Sequence, residues 1–161
     1  MGTVEAGKLF LEALTCAGEQ PDLNAASNFD TTALNGLKDI RATPGHVVCT
    51  LPVSKRVQNR YTTLHGGCIA TLVDTVTSAA LVTVSKRSGV SLGIGIDYLS
   101  PGTGGEEVEI DARVVKVGRT VATINADIRM AGSGRLVAQG RHTKFLPADE
   151  QEVKGLPRAK L

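Results

Sequence analysis

The feature that most constrains the fold is a long run of residues that carries a single charge. Between residues 61 and 85 the chain has no Lys, Arg or Glu, and Asp74 is its only acidic residue. Apolar side chains recur there at steps of three and four, which predicts a helix with one apolar stripe. The stripe consists of Ile69, Leu72, Val73, Val76 and Ala80. A bilayer span is excluded, because Asp74 and several hydroxyls would lie in it without water. The sequence therefore predicts a helix buried in protein.

The opposite side of this helix carries the short side chains of Thr71, Asp74 and Ser78, where an exposed helix usually carries long charged ones. Short side chains let another surface approach closely. Because one chain of this size supplies one sheet, we expect a second copy of the chain to cover this side. A covered carboxylate needs donors or a chemical function. Asp74 either takes part in catalysis or only bonds to hydroxyls such as those of Thr71 and Ser78.

The other predicted elements are strands, in which apolar and polar residues alternate as they do in an antiparallel sheet with one covered face. They comprise residues 46–53, 90–99, 107–117, 120–130 and 135–146. A long helix followed by such strands packs best with the sheet curved around the helix. The predicted fold class is therefore α+β, with a long central helix wrapped by a curved antiparallel β-sheet.

The chain divides into three parts by its patterning. Residues 1–35 predict an N-terminal helical segment, with short helices near 4–14 and 29–34. Residues 36–147 form the predicted domain, and residues 148–161 a flexible polar tail. The tail ends in Ala159-Lys160-Leu161, one substitution from the S-K-L tripeptide that peroxisomal import receptors bind. We expect a peroxisomal protein with such a receptor as partner, or otherwise a cytoplasmic one.

Composition excludes several partners. A length of 161 residues fits one soluble domain, and a net charge of +2 with 3% aromatic residues offers no surface for nucleic acid. Cys16, Cys49 and Cys68 lack the spacing of metal ligands, so we expect no metal site and a reducing compartment. No signal-peptide pattern is present at the first residues. We expect neither nucleic acid nor a membrane as a partner.

The predicted helix begins with His65-Gly66-Gly67. Backbone N–H groups are unpaired at a helix N-terminus, the helix dipole is positive there, and glycine leaves room for a ligand. Such a site polarises a carbonyl oxygen as an oxyanion hole does, although glycines also simply ease a tight turn. Gly66 and Asp74 lie about 12 Å apart along the helix axis, too far to reach one carbonyl. Two such helices packed antiparallel across a two-fold axis would bring them together.

Several motifs resemble those of the small acyl-CoA thioesterases of the hotdog-fold superfamily. They are Asn59-Arg60 followed by Leu64-His65-Gly66-Gly67, then Ala70-Thr71-Leu72-Val73-Asp74, then Tyr98-Leu99-Ser100-Pro101, and finally Ala138-Gln139-Gly140-Arg141-His142-Thr143-Lys144. The resemblance implies a hotdog fold, a homodimer with one continuous sheet that is commonly doubled to a homotetramer, and hydrolysis of acyl-CoA to a free acid and CoA. It implies no cofactor, since CoA is part of the substrate.

The resemblance also implies site residues. Asp74 is similar to the catalytic carboxylate that acts across the dimer interface, as general base or as nucleophile, and Gly66 to the N–H donor for the thioester oxygen. Asn59 and His65 resemble residues that position substrate and water, and Ser91 a supporting hydroxyl. The implied CoA-binding residues are Tyr98, Leu99, Ser100, Pro101, Gly102 and Thr103, together with Lys116, Val117, Gly118, Arg119, Thr120 and Val121. Gly93 and Gly95 stand where relatives often carry polar side chains, so the resemblance does not define the shape of the acyl pocket or the choice of substrate.

Other functions remain as alternatives. A hotdog dehydratase or hydratase would use His65 as its acid and base, and an acyl-CoA-binding module would need no catalysis. Residues 89–93 spell G-x-S-x-G, but they follow a helix and precede a strand, the reverse of a nucleophile elbow. Cys68 lies near the helix N-terminus, where a thiol can be activated; a small buried apolar residue is the better interpretation.

Overall fold

The computed structural model describes residues 3–15 and 29–148. Its helices are α1 (Val4–Thr15), α2 (Phe29–Ala33) and α3 (Gly66–Val82), with a 3₁₀ turn at Lys55–Val57. Its strands are β1 (Lys38–Thr43), β2 (His46–Pro52), β3 (Val90–Tyr98), β4 (Glu107–Val117), β5 (Val121–Met130) and β6 (Leu136–Phe145). The predicted α+β class is confirmed. Cys16 and the C-terminal tripeptide lie outside the described residues, and the three-part division of the chain stays a prediction.

The six strands form one antiparallel sheet in the order β1-β2-β4-β5-β6-β3. Strand β1 is not among the strands predicted from the sequence. This edge strand has only two apolar residues against the core, Ile40 and Ala42, among charged side chains such as Lys38 and Arg41 that reach Glu107 and Glu109. A tight turn joins β1 to β2, and Gly45 adopts a φ of 74° there.

Helix α3 lies across one face of the sheet and contacts every strand from β2 to β6. The close approach depends on Gly140 in β6, where a Cβ atom would stand 2.6 Å from Val73 Cγ1. Large side chains from both layers fill the core between helix and sheet, including Leu51, Leu72, Leu81, Ile110, Ile124 and Ile128. The apolar stripe predicted for the helix is thus the surface that faces the sheet.

The N-terminal helices of the same chain cover much of the remaining surface of α3. Gly7 of α1 lies against the end of α3, where a Cβ atom would stand 2.6 Å from Thr83 Cγ2. Near the start of α3, Cys68 Sγ donates to the carbonyl of Ala33 at 3.5 Å. The chain itself thus supplies part of the second cover of α3, which the sequence did not lead us to expect, and a second copy over the remaining surface stays a prediction. What stays open is a narrow stripe that consists of Gly66, Gly67, Ala70 and Asp74, together with Val82 in the last turn of the helix.

Strand β3 forms one edge of the sheet and pairs only with β6 among the described strands. Almost every residue of β3 is exposed, including the apolar side chains of Leu92 and Ile94. A bulge between Ser91 and Gly93 shifts the register with β6. In the described ranges, no helix is long and apolar enough to cross a membrane.

Candidate active site

The N-terminus of α3 holds one open backbone donor. His65 is the N-cap residue, and its Nδ1 accepts a hydrogen bond from the Gly67 N–H at 2.9 Å. Within the described part of the chain, nothing accepts from the neighbouring Gly66 N–H. Tyr98 Oη donates to the Gly66 carbonyl at 3.1 Å and steadies this turn. The Gly66 N–H is therefore free to donate to a carbonyl oxygen, with the positive end of the helix dipole behind it.

Asn59 lies beside this donor in a loop that its own side chain organises. Its Oδ1 accepts from the backbone N–H groups of Tyr61 at 2.9 Å and Thr63 at 3.2 Å. Its Nδ2 donates to Thr63 Oγ1 at 2.9 Å, which occupies one of the two amide hydrogens. A cavity of about 310 Å³ opens here. It is lined by Asn59, Leu64, Gly66, Ile69, Tyr98, Leu99, Ser100, Pro101 and Gly102.

Asp74 lies two turns further along the open stripe, and its side chain is 48% exposed in the single chain. Ser91 Oγ lies 3.4 Å from Asp74 Oδ1. The hydroxyls suggested as its partners do not bond to this carboxylate: Ser78 Oγ donates to the backbone carbonyl of Asp74, and Thr71 Oγ1 to that of Gly67. The alternative was that Asp74 only bonds to hydroxyls of its own helix. The contacts of Thr71 and Ser78 do not support it.

Two buried residues of β6 support this site, and the sequence analysis gave neither a role. His142 is fully buried, with Nε2 2.9 Å from Ser91 Oγ and Nδ1 2.6 Å from Thr77 Oγ1. Lys144, also buried, donates from Nζ to Ser78 Oγ at 2.7 Å. The signal was present in the sequence, since strand alternation places both side chains on the core face, where polar groups are rare.

The environment of these two side chains disfavours their charged forms. Burial, followed by the positive charge of Lys144, lowers the pKa of His142 to about 4, and the Asp74 carboxylate opposes this shift. Burial also lowers the pKa of Lys144, again opposed by Asp74. His142 is consequently a neutral imidazole at physiological pH.

A serine, a histidine and an aspartate meet here, as in a catalytic triad, but their geometry differs from that of a triad. The three residues are Ser91, His142 and Asp74. In a triad the carboxylate accepts Nδ1–H from the imidazole whose Nε2 faces the serine. Here Nδ1 faces Thr77, and Asp74 lies on the other side of the ring, 3.6 Å from Nε2. An imidazole with a pKa of about 4 is also a weak base. Ser91 lies within a strand, so the G-x-S-x-G motif forms no nucleophile elbow.

The cysteines near the helix are poor nucleophiles. Burial raises the pKa of Cys68 to about 11 and that of Cys49 to about 12, so both are thiols at neutral pH. In the part of the chain that the structure describes, no three His, Cys, Asp or Glu side chains converge as metal ligands do.

The two segments implied to bind CoA lie at opposite ends of the sheet. Residues 98–103 follow β3, and Thr103 pairs with Thr63 beside the Asn59 loop. Residues 116–121 form the β4–β5 turn, where the Gly118 N–H donates to the Val121 carbonyl. Register places Val121 next to Phe145, and Phe145 next to the first residue of β3. The length of β3, about 26 Å, thus separates the two segments within one chain.

The structure has a hotdog arrangement of sheet and helix, an open N–H donor at the helix N-terminus, and a carboxylate further along the same open stripe. These are features that the hydrolysis of a thioester can use. The chain belongs to the thioesterase superfamily, whose family model matches residues 61–138. This agrees with the family that the motifs of the sequence resemble.

Individual members resemble the chain closely. Acyl-coenzyme A thioesterase 13 of Homo sapiens is 40% identical over 125 residues, which are 77% of this chain and 89% of the human protein. The crystal structure of zebra fish thioesterase superfamily member 2 has a TM-score of 0.78 and 36% identity, over 90% of this chain and 99% of that one. A thioesterase protein from Streptococcus pneumoniae, solved with coenzyme A, has a TM-score of 0.64 and 31% identity, over 68% of this chain and 84% of that one.

Proposed function

We propose that this protein hydrolyses acyl-CoA thioesters to free carboxylic acids and CoA. The observation that carries the proposal is the open Gly66 N–H beside a cavity, with the Asp74 carboxylate on the same exposed stripe of α3. The similarity to an acyl-coenzyme A thioesterase and to a thioesterase solved with coenzyme A supports the choice of CoA ester. No cofactor is required, since CoA belongs to the substrate.

Each active site is made by two copies of the chain. About 12 Å separates Gly66 from Asp74 along one helix, so they serve one carbonyl only if a second α3 packs antiparallel against the open stripe. Strand β3 supplies the other half of such an interface, because its outer edge is unpaired among the described strands and a Cβ atom on Gly93 or Gly95 would meet nothing. Antiparallel pairing of two β3 strands forms one continuous sheet.

The same symmetry completes the CoA site. When two β3 strands pair antiparallel, the end of one lies beside the beginning of the other. Residues 98–103 of one copy then approach residues 116–121 of the other. Lys116 and Arg119 in this turn supply positive charge for the phosphates of CoA. One two-fold axis thus assembles both the catalytic pair and the CoA-binding pair.

In the assembled site the Gly66 N–H and the Asn59 amide donate to the thioester oxygen. Negative charge grows on this oxygen in the transition state, and donors already in place stabilise it. Asp74 of the second copy takes a proton from the attacking water as general base. Ser91 holds this water against the carboxylate. His65 is a positioning residue here, because its Nδ1 is committed to the helix cap.

That cap also argues against a dehydratase. An acid–base histidine needs an available ring nitrogen of suitable basicity, and protonation of His65 Nδ1 would break its bond to the Gly67 N–H. Hydrolysis needs no proton at this position. The alternative of an acyl-CoA-binding module without catalysis is an outcome of the experiment below.

Thiol release from acyl-CoAs of short, long and aromatic acyl groups tests the function. We expect turnover by the wild type and a loss of about 10²-fold or more in kcat for Asp74→Asn. This variant keeps the size of the side chain and removes its basicity. Turnover at the wild-type rate by Asp74→Asn would end the assignment of Asp74, and CoA-ester binding without any thiol release would identify a binding module.

We also propose that dimers pair into a homotetramer through the outer face of the sheet. A groove there carries charges of both signs, so two copies related by a two-fold axis could pair opposite charges across it. It is lined by Asp111, Arg113, Val115, Asn125, Asp127 and Gln139. Light scattering of the purified protein distinguishes a tetramer from a dimer. A dimer would contradict the proposed homotetramer.

Residues Ala159-Lys160-Leu161 support a peroxisomal location, with the import receptor as partner and lipid metabolism as setting. Deletion of these three residues should move a fluorescently labelled protein from peroxisomes to the cytoplasm. An unchanged distribution would contradict the proposal.

A further inference from the structure

A buried chain of hydrogen bonds runs beneath Asp74 and Ser91, from Thr77 through His142 to the Ser91 hydroxyl. Each hydroxyl in this chain has one hydrogen to donate. Once the acceptor of each hydrogen is known, it is also known which group donates in each hydrogen bond.

Thr77 fixes the first direction. Its Oγ1 lies 2.6 Å from the Val73 carbonyl, a contact between two oxygens that is favourable only if the threonine hydrogen lies between them. Thr77 Oγ1 also lies 2.6 Å from His142 Nδ1. With its own hydrogen committed to Val73, the hydroxyl accepts, and Nδ1 bears the imidazole hydrogen.

His142 then fixes the second direction. Two charged groups face the ring among the described residues, Asp74 from α3 and Lys144 from β6, while β3 offers the neutral Ser91. Burial with Lys144 nearby keeps the imidazole neutral, so a hydrogen on Nδ1 leaves a lone pair on Nε2. At 2.9 Å this lone pair accepts the hydrogen of Ser91.

We propose that Thr77 and His142 are positioning residues that lock the direction of the Ser91 hydrogen bond away from Asp74. The inference rests on the proposed function and deepens it. Ser91 lies 3.4 Å from Asp74 Oδ1, but its hydrogen is held by His142, so it does not weaken the carboxylate as a base. The free lone pairs of Ser91 accept one hydrogen of the attacking water while Asp74 takes the other.

The matched variants are Thr77→Val and Thr77→Ser. Valine keeps the shape of threonine but offers no acceptor for Nδ1–H, so the imidazole hydrogen moves to Nε2, where it faces Ser91 and Asp74. Ser91 then donates to Asp74 and opposes proton abstraction. We expect kcat to fall about tenfold, the effect of one redirected hydrogen bond, with KM unchanged. Serine keeps the hydroxyl and should restore kcat.

Two readouts separate this proposal from a merely structural effect. ¹⁵N NMR of the imidazole should place the hydrogen on Nδ1 in the wild type and Thr77→Ser, and on Nε2 in Thr77→Val. In a Ser91→Ala background, Thr77→Val should lower kcat by a smaller factor than in the wild type, because the serine hydrogen that it redirects is absent.

A wild-type spectrum with the hydrogen on Nε2 would overturn the proposal, even if Thr77→Val failed to fold. An equal loss of kcat with and without Ser91 would also overturn it. Failure of the proposed function is recognised separately: the wild type would release no thiol, while the ¹⁵N spectrum would still decide where the hydrogen lies.

Discussion

Individual residues on α3 have different roles according to the side on which they lie. Thr77 and Ser78 face β6, where they bind His142 and Lys144. Asp74 lies on the open stripe, half exposed in the single chain. An isolated helix has no such asymmetry; the sheet produces it by burying polar partners on one side. The neutral state of His142 is part of this arrangement, and it has a consequence for stability.

The stability of the protein should fall when pH is lowered through the range in which unfolded His142 gains a proton. Its pKa is lowered from 6.5 to about 4 in the folded chain. Between pH 6.5 and about pH 4, His142 binds more protons in the unfolded state than in the folded state, so the free energy of unfolding decreases as pH falls. Below about pH 4 the contribution of His142 changes no further. The contribution of His142 to this loss is about 3 kcal/mol.

Chemical denaturation at about pH 7 and about pH 4.5 measures this loss, and His142→Asn is the matched variant. Its amide can still donate to Thr77, but it does not titrate. The stability of the wild type should decrease more steeply over this range than that of the variant. Equal decreases would show that His142 contributes nothing to the acid sensitivity, since the carboxylates common to both proteins would account for it.

At the scale of elements, periodicity predicted the central helix and five of the six described strands, and it missed the edge strand β1. The stripe of α3 and the alternation of β4 and β5 follow from burial on one side, so they are visible in the sequence. Strand β1 is short, and only Ile40 and Ala42 on it pack against the core, so its pattern is too brief to stand out in the sequence. The packing of α1 on α3 depends on a space at Gly7 that only the folded chain reveals.

Gly140 offers a test of helix–sheet packing. Gly140→Ala places a Cβ atom 2.6 Å from Val73 Cγ1 and should lower the free energy of unfolding by about 1–3 kcal/mol, because α3 must move from the sheet. Gly132→Ala is the control, since a Cβ atom there meets nothing within 4 Å. Denaturation of both variants checks this, and equal stabilities would contradict the close packing.

At the scale of the whole molecule, the single chain brings together only some of the residues that the sequence predicted for the site. Asn59, Gly66 and residues 98–102 line one cavity, and Asp74 meets Ser91. The roles of His142 and Thr77 could not be predicted, because their function depends on which ring nitrogen meets which hydroxyl across 65 residues of sequence. The single chain leaves the catalytic pair and the CoA-binding pair apart, and the proposed two-fold axis would bring both together.

Complementation between two inactive variants tests this shared site most directly. Asn59→Asp keeps the acceptor oxygen that organises its loop and loses the amide donor, whereas Asp74→Asn loses the base. Each variant alone should be inactive. In a co-expressed mixture, half of the dimers combine both variants, and each such dimer has one intact site, so about a quarter of the wild-type rate should return. A mixture no more active than the separate variants would contradict an active site built from two copies of the chain.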